Sequence, residues 1–250
     1  MAAPKKTESG IKPVAAVERA LDLMDAFRGS DRSLSLADIS TRTGLFKSTA
    51  LRLAGTLEHR GYLYRNPDGS YRIGAKPFFL GAMYQASFQE GDVIMLALQK
   101  LAEATGESAS YNVRCSAERL CLFRVNSPQI IRDNVYVGDM RPLNRGAAGR
   151  LLMAFSRPLN SRFAAVRKRL IASSAGEIEA HMSGLAAPVF DGAGNVLAAL
   201  TLSGPRSRFD AAAVARMEKT LRRAAKQLSD ELGGSGEAYL ALPPAKRRAR

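Results

Sequence analysis

The first apolar pattern along the chain repeats with the period of a helix. Its members lie three or four residues apart, with charged residues between them: Val14, Val17, Leu21, Met24 and Phe27. This spacing predicts an amphipathic helix, and the glycine and serine at 29–30 favour its end there. The polar residues 1–12 before it include three lysines, and we interpret them as a flexible arm.

Two further helices are predicted close behind the first. Ser35 and Asp38 have the spacing of a capping box, in which each side chain bonds the backbone N–H of the other residue. A helix should therefore start at Leu36 and stop at Gly44, since glycine commonly follows a helix C-terminus. The third helix is expected at residues 47–59, where four apolar residues fall on one face.

The period then changes from helical to alternating. Residues 62–65 and 71–73 are short runs rich in tyrosine, separated by N-P-D-G at 66–69. Proline presets the second position of a turn and Asp-Gly closes it, so the two runs are predicted to form a hairpin. Three helices followed by this hairpin indicate a winged helix-turn-helix domain at residues 13–75.

The second half of the chain mixes strands with helices, so the expected fold class is α+β. A linker helix at 76–90 leads into a domain at 91–232, in which Asp92 should cap a helix at 93–105. The D-G-A-G-N run between the last two strands is a strong hairpin signal. Residues 233–250 contain glycine, proline and basic runs and are predicted to be disordered. Strands are predicted at 108–113, 120–125, 134–138, 185–190 and 196–202, and helices at 149–155 and 209–232.

The net charge points to a polyanionic partner. The chain carries 37 Lys and Arg against 23 Asp and Glu, a formal charge of +14, which favours nucleic acid first and an anionic membrane surface second. Residues 141–170 hold eight basic groups and no acidic one, and residues 246–250 hold four more. Much of the excess therefore lies outside the helix-turn-helix.

Other features of the sequence indicate the cellular compartment. No apolar run is long enough to span a membrane, and the N-terminus lacks the apolar stretch of a secretory signal. Two cysteines, Cys115 and Cys121, are too few for a disulfide framework and fit a reducing environment. We therefore expect a cytoplasmic protein that has no membrane partner.

An enzyme is the remote alternative. It would use Cys115 or Cys121 as a nucleophile with His181 as the base, but nothing in the sequence places these groups within hydrogen-bond reach. No catalytic signature or phosphate-binding loop is present, and His59 and His181 lack further ligands at metal spacing. We expect no catalytic residues, no metal and no cofactor.

The third helix is the predicted reading element, because a helix-turn-helix places its second helix in the major groove of DNA. Its apolar face leaves five polar side chains on the outer face: Lys47, Ser48, Thr49, Arg52 and Thr56. Arg52 has the reach for a bidentate contact with guanine, and Arg65 and Arg72 on the wing suit phosphate or minor-groove contacts. Three alternatives stay open here. Ser48 and Thr49 could instead cap their own helix, Arg52 could be an exposed helix arginine without a role, and the wing arginines could be solvated charges.

Several strings of this chain resemble the IclR family of bacterial transcription regulators. The first half contains V-E-R-A-L-D-L at 17–23, S-L-A-D-I-S at 35–40, T-G-L-F-K-S-T at 43–49 and L-E-H-R-G-Y-L at 57–63. The second half contains L-A-E-A-T-G-E-S at 101–108, A-A-P-V-F-D at 186–191 and L-T-L-S-G-P-R-S-R at 200–208. The resemblance covers about residues 13–232.

This resemblance implies a homodimer or a dimer of dimers on a near-palindromic operator in double-stranded DNA. It also implies that the C-terminal domain is a GAF-like antiparallel sheet with flanking helices. That domain would hold a small organic effector, such as a carboxylate or an aromatic acid, which shifts the DNA-binding equilibrium. A DNA-binding regulator whose effector domain has lost its ligand and serves only for oligomerisation is the alternative.

The family's effector pocket maps onto seven positions: Ala147, Ala148, Gly149, Ser174, Gly184, Thr201 and Ser203. The N–H groups and dipole of the helix at the Ala-Ala-Gly run suit a carboxylate. Close packing of helix on strand is the other interpretation of that run, and ordinary strand residues the other interpretation of Thr201 and Ser203.

Two departures from the family pattern bear on this pocket. Ser174 and Gly184 stand where some members carry an acidic residue and a cysteine. The segment between Gly149 and Glu177 looks shorter than the family's, and its remaining part, 156–172, is rich in Arg and Lys. From this shortening we expect a more open or altered pocket.

Overall fold

The computed structural model of the protein describes residues 13–28, 31–87 and 90–240. The chain divides into two compact units, Met1–Ser87 and Phe88–Arg250. The predicted arm at 1–12, the predicted helix end at 29–30 and the last residues of the predicted tail lie outside the described residues.

The first unit has the predicted order of elements. Its helices and strands are α1 (Ala15–Asp25), α2 (Leu36–Thr43), α3 (Lys47–His59), β1 (Leu63–Arg65), β2 (Tyr71–Ile73) and α4 (Ala75–Ala86). The capping box is formed, since Ser35 Oγ accepts from Asp38 N at 3.1 Å and Ser35 N donates to Asp38 Oδ2 at 3.0 Å. Gly44 ends α2 at φ +72°, a left-handed conformation that costs glycine little.

The core of the first unit lies between the helices and the wing. Leu23 of α1 and Ile39 of α2 are fully buried against the small residues Ala50 and Ala54 of α3, which let the helices approach closely. Tyr71 of β2 closes this core, and its backbone also bridges Leu34. The buried face of α3 thus fixes which of its side chains point outward.

The second unit is built on one antiparallel sheet of six strands. Its elements are α5 (Gly91–Thr105), β3 (Ser108–Cys115), β4 (Glu118–Val125), β5 (Met140–Pro142), α6 (Gly146–Ala154), α7 (Ala164–Arg169), β6 (Ala172–Ala175), β7 (Met182–Phe190), β8 (Val196–Pro205), α8 (Ala211–Glu231) and α9 (Glu237–Leu240). Short 3-10 turns lie at Ser161–Phe163 and Arg206–Arg208. The strands lie in the order β5-β4-β3-β8-β7-β6 across the sheet.

The two faces of this sheet differ in character. Leu200 and Leu202 of β8 pack in the main core with the apolar sides of α5 and α8. Ala199 alternates with them and packs with α6 on the opposite face, where Thr201 and Ser203 follow at the period of two that strands impose. One face is therefore a dry core, and the other carries polar groups.

A bulge in β4 alters this alternation. Tyr111 of β3 pairs with Phe123, but the next residue, Asn112, pairs with Cys121, so Leu122 is an extra residue in β4. Leu122 and Phe123 both join the main core as a result. Such bulges re-aim the side chains on either side of them.

Four sequence predictions need correction in this unit. The strand expected at 134–138 is wrong, because this stretch is irregular and turns at Gly138, at φ +93°, before β5 begins at Met140. The helix expected from Gly149 begins earlier, at Gly146. Asp92 lies inside the first turn of α5 rather than capping it, since the N-cap position falls at Glu90.

The fourth correction concerns the C-terminal tail. Residues 233–240 were expected to be disordered with the rest of 233–250, but they form a turn followed by α9. Tyr239 is only 8% exposed, and its hydroxyl donates to the Pro188 carbonyl at 2.5 Å. Burial of this aromatic ring and the bonding of its polar end order the segment.

Candidate nucleic-acid interface and ligand cavity

The start of α3 is an exposed helix N-terminus without a side-chain cap. The N-cap residue is Phe46, whose apolar side chain cannot accept a hydrogen bond and is 84% exposed. Neither Ser48 nor Thr49 caps the helix, so the capping interpretation of these two hydroxyls is not realised. The first N–H groups of α3 and the positive end of its dipole are therefore available to an anion.

The predicted contact residues of α3 occupy its outer side. Lys47, Ser48, Arg52 and Thr56 are exposed and Thr49 is half-buried, opposite the alanines packed in the core. Thr56 Oγ1 donates to the Arg52 carbonyl at 3.1 Å, so its hydroxyl proton is used within the helix. Sequence reasoning did not single out Phe46, although its apolar side chain stands beside these polar groups.

Each wing arginine lies over an aromatic ring of the opposite strand. The register pairs Tyr64 with Arg72 and Arg65 with Tyr71. The guanidinium carbon of Arg72 lies 4.3 Å from the centre of the Tyr64 ring, and that of Arg65 lies 5.8 Å from Tyr71. Both arginines remain exposed, so cation–π contacts hold the charges in place while leaving them open to solvent.

The second unit contains a cavity of about 80 Å³ on the polar face of its sheet. Six of the seven predicted pocket residues line it: Ala147, Ala148, Ser174, Gly184, Thr201 and Ser203. The sheet register aligns three of them, since Gly184 of β7 pairs with Ser174 on one side and with Ser203 on the other. The cavity is small, and its volume alone does not test the predicted opening of the pocket, which stays a prediction.

Gly149 is the predicted pocket residue that does not line the cavity. A Cβ at this position would lie 2.3 Å from the carbonyl oxygen of Leu143, which is well inside van der Waals contact. Glycine is therefore required for α6 to pack against the chain that precedes it. The packing interpretation of the Ala-Ala-Gly run holds at this residue.

The N-terminus of α6 is occupied by the chain's own side chains. Gly146 N donates to Glu177 Oε2 at 3.1 Å, and Ala147 N donates to Ser174 Oγ at 3.0 Å. The other carboxylate oxygen of Glu177 pairs with Arg150 Nη2 at 2.6 Å. An internal carboxylate thus already stands where an effector carboxylate was expected to bind.

A buried ion pair that sequence reasoning missed forms one wall of the cavity. Arg124 Nη2 lies 2.5 Å from Asp133 Oδ1, with side-chain exposures of 3% and 6%. Ser203 Oγ donates to the other oxygen of Asp133 at 2.7 Å, and Arg124 Nε donates to Asn126 at 2.8 Å. These bonds hold both charges in place through the Nε and Nη2 of Arg124, and its buried Nη1 has no hydrogen-bond partner among the described residues.

A second buried arginine also lines the cavity. Arg119 of β4 faces the same side as Cys121 and lies opposite Arg141 of β5 in the register. Burial and the nearby Arg141 charge lower the pKa of Arg119 to about 10, so it still carries its charge at neutral pH. No signal in the sequence pointed to this residue, because the predicted strand began at position 120 and β4 begins two residues earlier, at Glu118.

Comparison with known proteins now assigns the family. The model of the IclR helix-turn-helix domain matches residues 16–67. The model of the bacterial transcriptional regulator IclR C-terminal domain matches residues 91–164 and 156–230. The chain belongs to the IclR family of bacterial transcriptional regulators. The two C-terminal matches meet at the basic segment that sequence analysis singled out as shortened.

Individual relatives agree with this assignment over nearly their whole lengths. The HTH-type transcriptional regulator XynR of Escherichia coli is 28% identical, with 88% of this chain and 98% of the relative covered. A crystal structure of an IclR transcriptional regulator from Silicibacter sp. is 25% identical with a TM-score of 0.76, over 92% of this chain and 98% of that one. An IclR homologue from Microbacterium hydrocarbonoxydans, complexed with 4-hydroxybenzoate, is 23% identical with a TM-score of 0.72, over 87% and 99%.

Membership of the IclR family makes this chain a DNA-binding transcriptional regulator rather than an enzyme. One of the two candidate nucleophiles agrees with this, because burial raises the pKa of the Cys121 thiol to about 11, away from the thiolate form that attacks substrates. Within residues 13–28, 31–87 and 90–240 no cluster of side chains could hold a metal ion. No helix of the described residues is long and apolar enough to span a bilayer.

Proposed function

We propose that this protein binds a near-palindromic operator through α3 and the wing, as a homodimer or a dimer of dimers, and that a small organic acid modulates this binding. The uncapped start of α3 carries the DNA part of the proposal. It combines free N–H groups, a cation at Lys47 and the exposed Arg52 on a helix whose opposite face is buried. Phosphate at the helix start would leave Arg52 one turn further along, at base edges.

Exposed apolar side chains in the first unit support the oligomeric part of the proposal. Val17 and Leu21 of α1 are more than half exposed, as are Phe78 and Met83 of α4. Apolar helix faces of this kind commonly mark protein contacts. A second copy is the proposed occupant, since a two-fold axis would present two reading helices to two half-sites.

The cavity supports the effector part of the proposal. It combines an apolar lining with a few convergent polar groups, as small-molecule sites do. The Microbacterium homologue is described as complexed with 4-hydroxybenzoate. A ligand changes DNA affinity only if it binds the two conformational states unequally.

Operator binding by Arg52→Ala tests the reading helix. An operator is first recovered by selection from random DNA with the full chain, and fluorescence anisotropy then gives the Kd. If Arg52 contacts a base, its loss should weaken binding by about 1–3 kcal/mol and relax specificity at one position of each half-site. Arg60→Ala is the matched control, because Arg60 is an exposed arginine at the other end of α3. Unchanged affinity and specificity of Arg52→Ala would remove Arg52 from the interface.

A further inference from the structure

Arg119 is a buried cation without a protein partner. It is 7% exposed, and its Nε has no hydrogen-bond acceptor. Among the described residues it belongs to no ion pair. An unpaired buried charge is costly to a fold, so its presence in a cavity calls for an anion that arrives from outside.

Three of the four acidic residues that line the described cavity are paired with other arginines, and the fourth, Glu179, lies 3.7 Å from His181. Asp133 pairs with Arg124, and Glu177 with Arg150 and the start of α6. Asp139 accepts from the Tyr136 N–H at 3.1 Å and lies 3.6 Å from Arg141. None of these carboxylates neutralises Arg119.

The other potential anion sites of the cavity are committed as well. The first two N–H groups of α6 donate to Glu177 and Ser174, and Arg124 is held by Asp133. Arg124 keeps an unbonded Nη1, but among the buried arginines that line the described cavity only Arg119 belongs to no ion pair and can offer its whole guanidinium group to an anion. The guanidinium fork of arginine matches the two oxygens of a carboxylate.

We propose that Arg119 anchors the carboxylate of a short-chain organic acid in this cavity. The inference rests on the proposed function, in which this cavity is the effector site. It adds a specific anchor on β4 and a size class. The volume of about 80 Å³ is roughly half that of an enclosed engineered cavity that admits benzene, so we expect the site to favour an acid of about two to four carbon atoms over an aromatic acid.

A hydrogen-bond network on the floor of the cavity favours acids that carry a further polar group. Asn112 Nδ2 donates to Ser110 Oγ at 3.0 Å and to Thr201 Oγ1 at 3.2 Å. All three side chains come from adjacent strands and line the cavity. A hydroxyl or keto oxygen on the acid can join this network, which favours a hydroxy or keto acid over a plain alkanoate.

The test compares acids with their uncharged amides on the full chain. Acetate, lactate and butyrate are added as sodium salts at constant ionic strength, beside acetamide, lactamide, benzoate and 4-hydroxybenzoate. Scanning fluorimetry measures the Tm, and titration calorimetry the Kd. We expect short acids, lactate most strongly, to raise the Tm of the native chain, whereas amides and aromatic acids leave it unchanged.

Three variants tie the response to Arg119. Arg119→Met should weaken lactate binding about tenfold or more, since a charge-assisted pair is lost, and Arg119→Lys should keep part of it. Arg114→Met is the matched control, because Arg114 is the direct partner of Arg119 across β3 and β4 but lies outside the cavity. It should bind lactate as the native chain does.

The stability of the unliganded variant provides a second measurement. Removing an unpaired buried charge should leave the Tm of Arg119→Met equal to or above that of the native chain. A purely structural role for Arg119 predicts a lower Tm instead. If Arg119→Met does not fold, lactate binding by Arg119→Lys and the acid–amide comparison on the native chain still test whether Arg119 anchors a carboxylate.

Contradictory results separate this inference from the proposed function. Equal responses to acids and amides, no response to any short acid, or unchanged lactate binding by Arg119→Met would overturn the role of Arg119. If another ligand then altered operator affinity, the proposed function would stand without the anchor. If the native chain failed to select an operator, the proposed function would fail whatever the acids do.

Discussion

The reading helix and wing of the first unit and the cavity of the second both offer arginines to anions, but under opposite physical conditions. Arg52 and Arg72 stand in solvent, where charges are screened by salt and cost the fold little. Arg119 and Arg124 are buried, where a charge must find a partner or destabilise the protein. Under the proposed function, arginines of the first kind would adjust affinity for DNA, whereas those of the second would determine stability and ligand choice.

The largest effect that sharpens this comparison is expected from Asp133→Asn. It leaves the Arg124 charge buried without its partner, which should lower the free energy of unfolding by about 3–5 kcal/mol. Urea unfolding followed by circular dichroism measures this loss. Asp139→Asn is the control, because the Asp139–Arg141 pair is longer and more exposed and should contribute about 1 kcal/mol or less. Equal losses in the two variants would contradict the distinction between buried and exposed pairs.

An intermediate effect is expected at the helix starts of the first unit. Ser35 caps α2, so Ser35→Ala should lower stability by about 1 kcal/mol. Ser48 caps nothing at the start of α3, and Ser48→Ala should leave the unfolding transition unchanged while weakening operator binding. Thermal unfolding and fluorescence anisotropy measure the two properties separately. Destabilisation by Ser48→Ala as large as that by Ser35→Ala would return Ser48 to the role of a cap.

The smallest effect is expected from one wing charge. If Arg72 contacts phosphate, Arg72→Gln should reduce the slope of log K against log salt concentration by about one unit and change sequence preference little. Operator titrations between low and moderate salt give this slope. Arg114→Gln, which removes an arginine from the second unit, should leave it unaltered. An unchanged slope in Arg72→Gln would make this arginine a solvated charge held only by Tyr64.

Elements specified by local signals could be predicted from the sequence. The bounds of α2 coincide with the prediction, because a capping box at Ser35 and glycine at Gly44 act within a few residues of the helix ends. The last hairpin is equally local, since Asp191 accepts from the N–H groups of Ala193 and Asn195 within its own turn. Such signals require no knowledge of the rest of the fold.

Features that depend on distant partners could not be predicted in this way. β5 pairs with β4 only after the chain has turned at Gly138, and the sequence alone placed the strand too early. Asp133 meets Ser203 across seventy positions of the chain, so neither residue's bonding is encoded nearby. The burial of Tyr239 beneath Pro188 likewise depends on the completed sheet.

The candidate site also contains both features that the sequence predicted and features that depend on distant residues. Resemblance located six residues of the cavity wall, because short strings carry the family pattern. It missed Arg119 and the Arg124–Asp133 pair, and it gave Gly149 a ligand role where the structure shows tight packing against Leu143. Charge pairing inside a cavity is a three-dimensional property that a string of residues does not display.

The bulge in β4 has a consequence for how relatives are aligned. Arg119 and Arg124 are separated by an odd number of positions, which would send them to opposite faces of a regular strand; the extra residue at Leu122 brings both to the cavity face. A relative lacking that residue would reach the same arrangement with a spacing of four. An alignment with such a relative therefore needs a one-position gap at Leu122, so that cavity-facing residues align with cavity-facing residues. Without the gap, residues on one side of the bulge would align with residues that face the opposite side of the sheet.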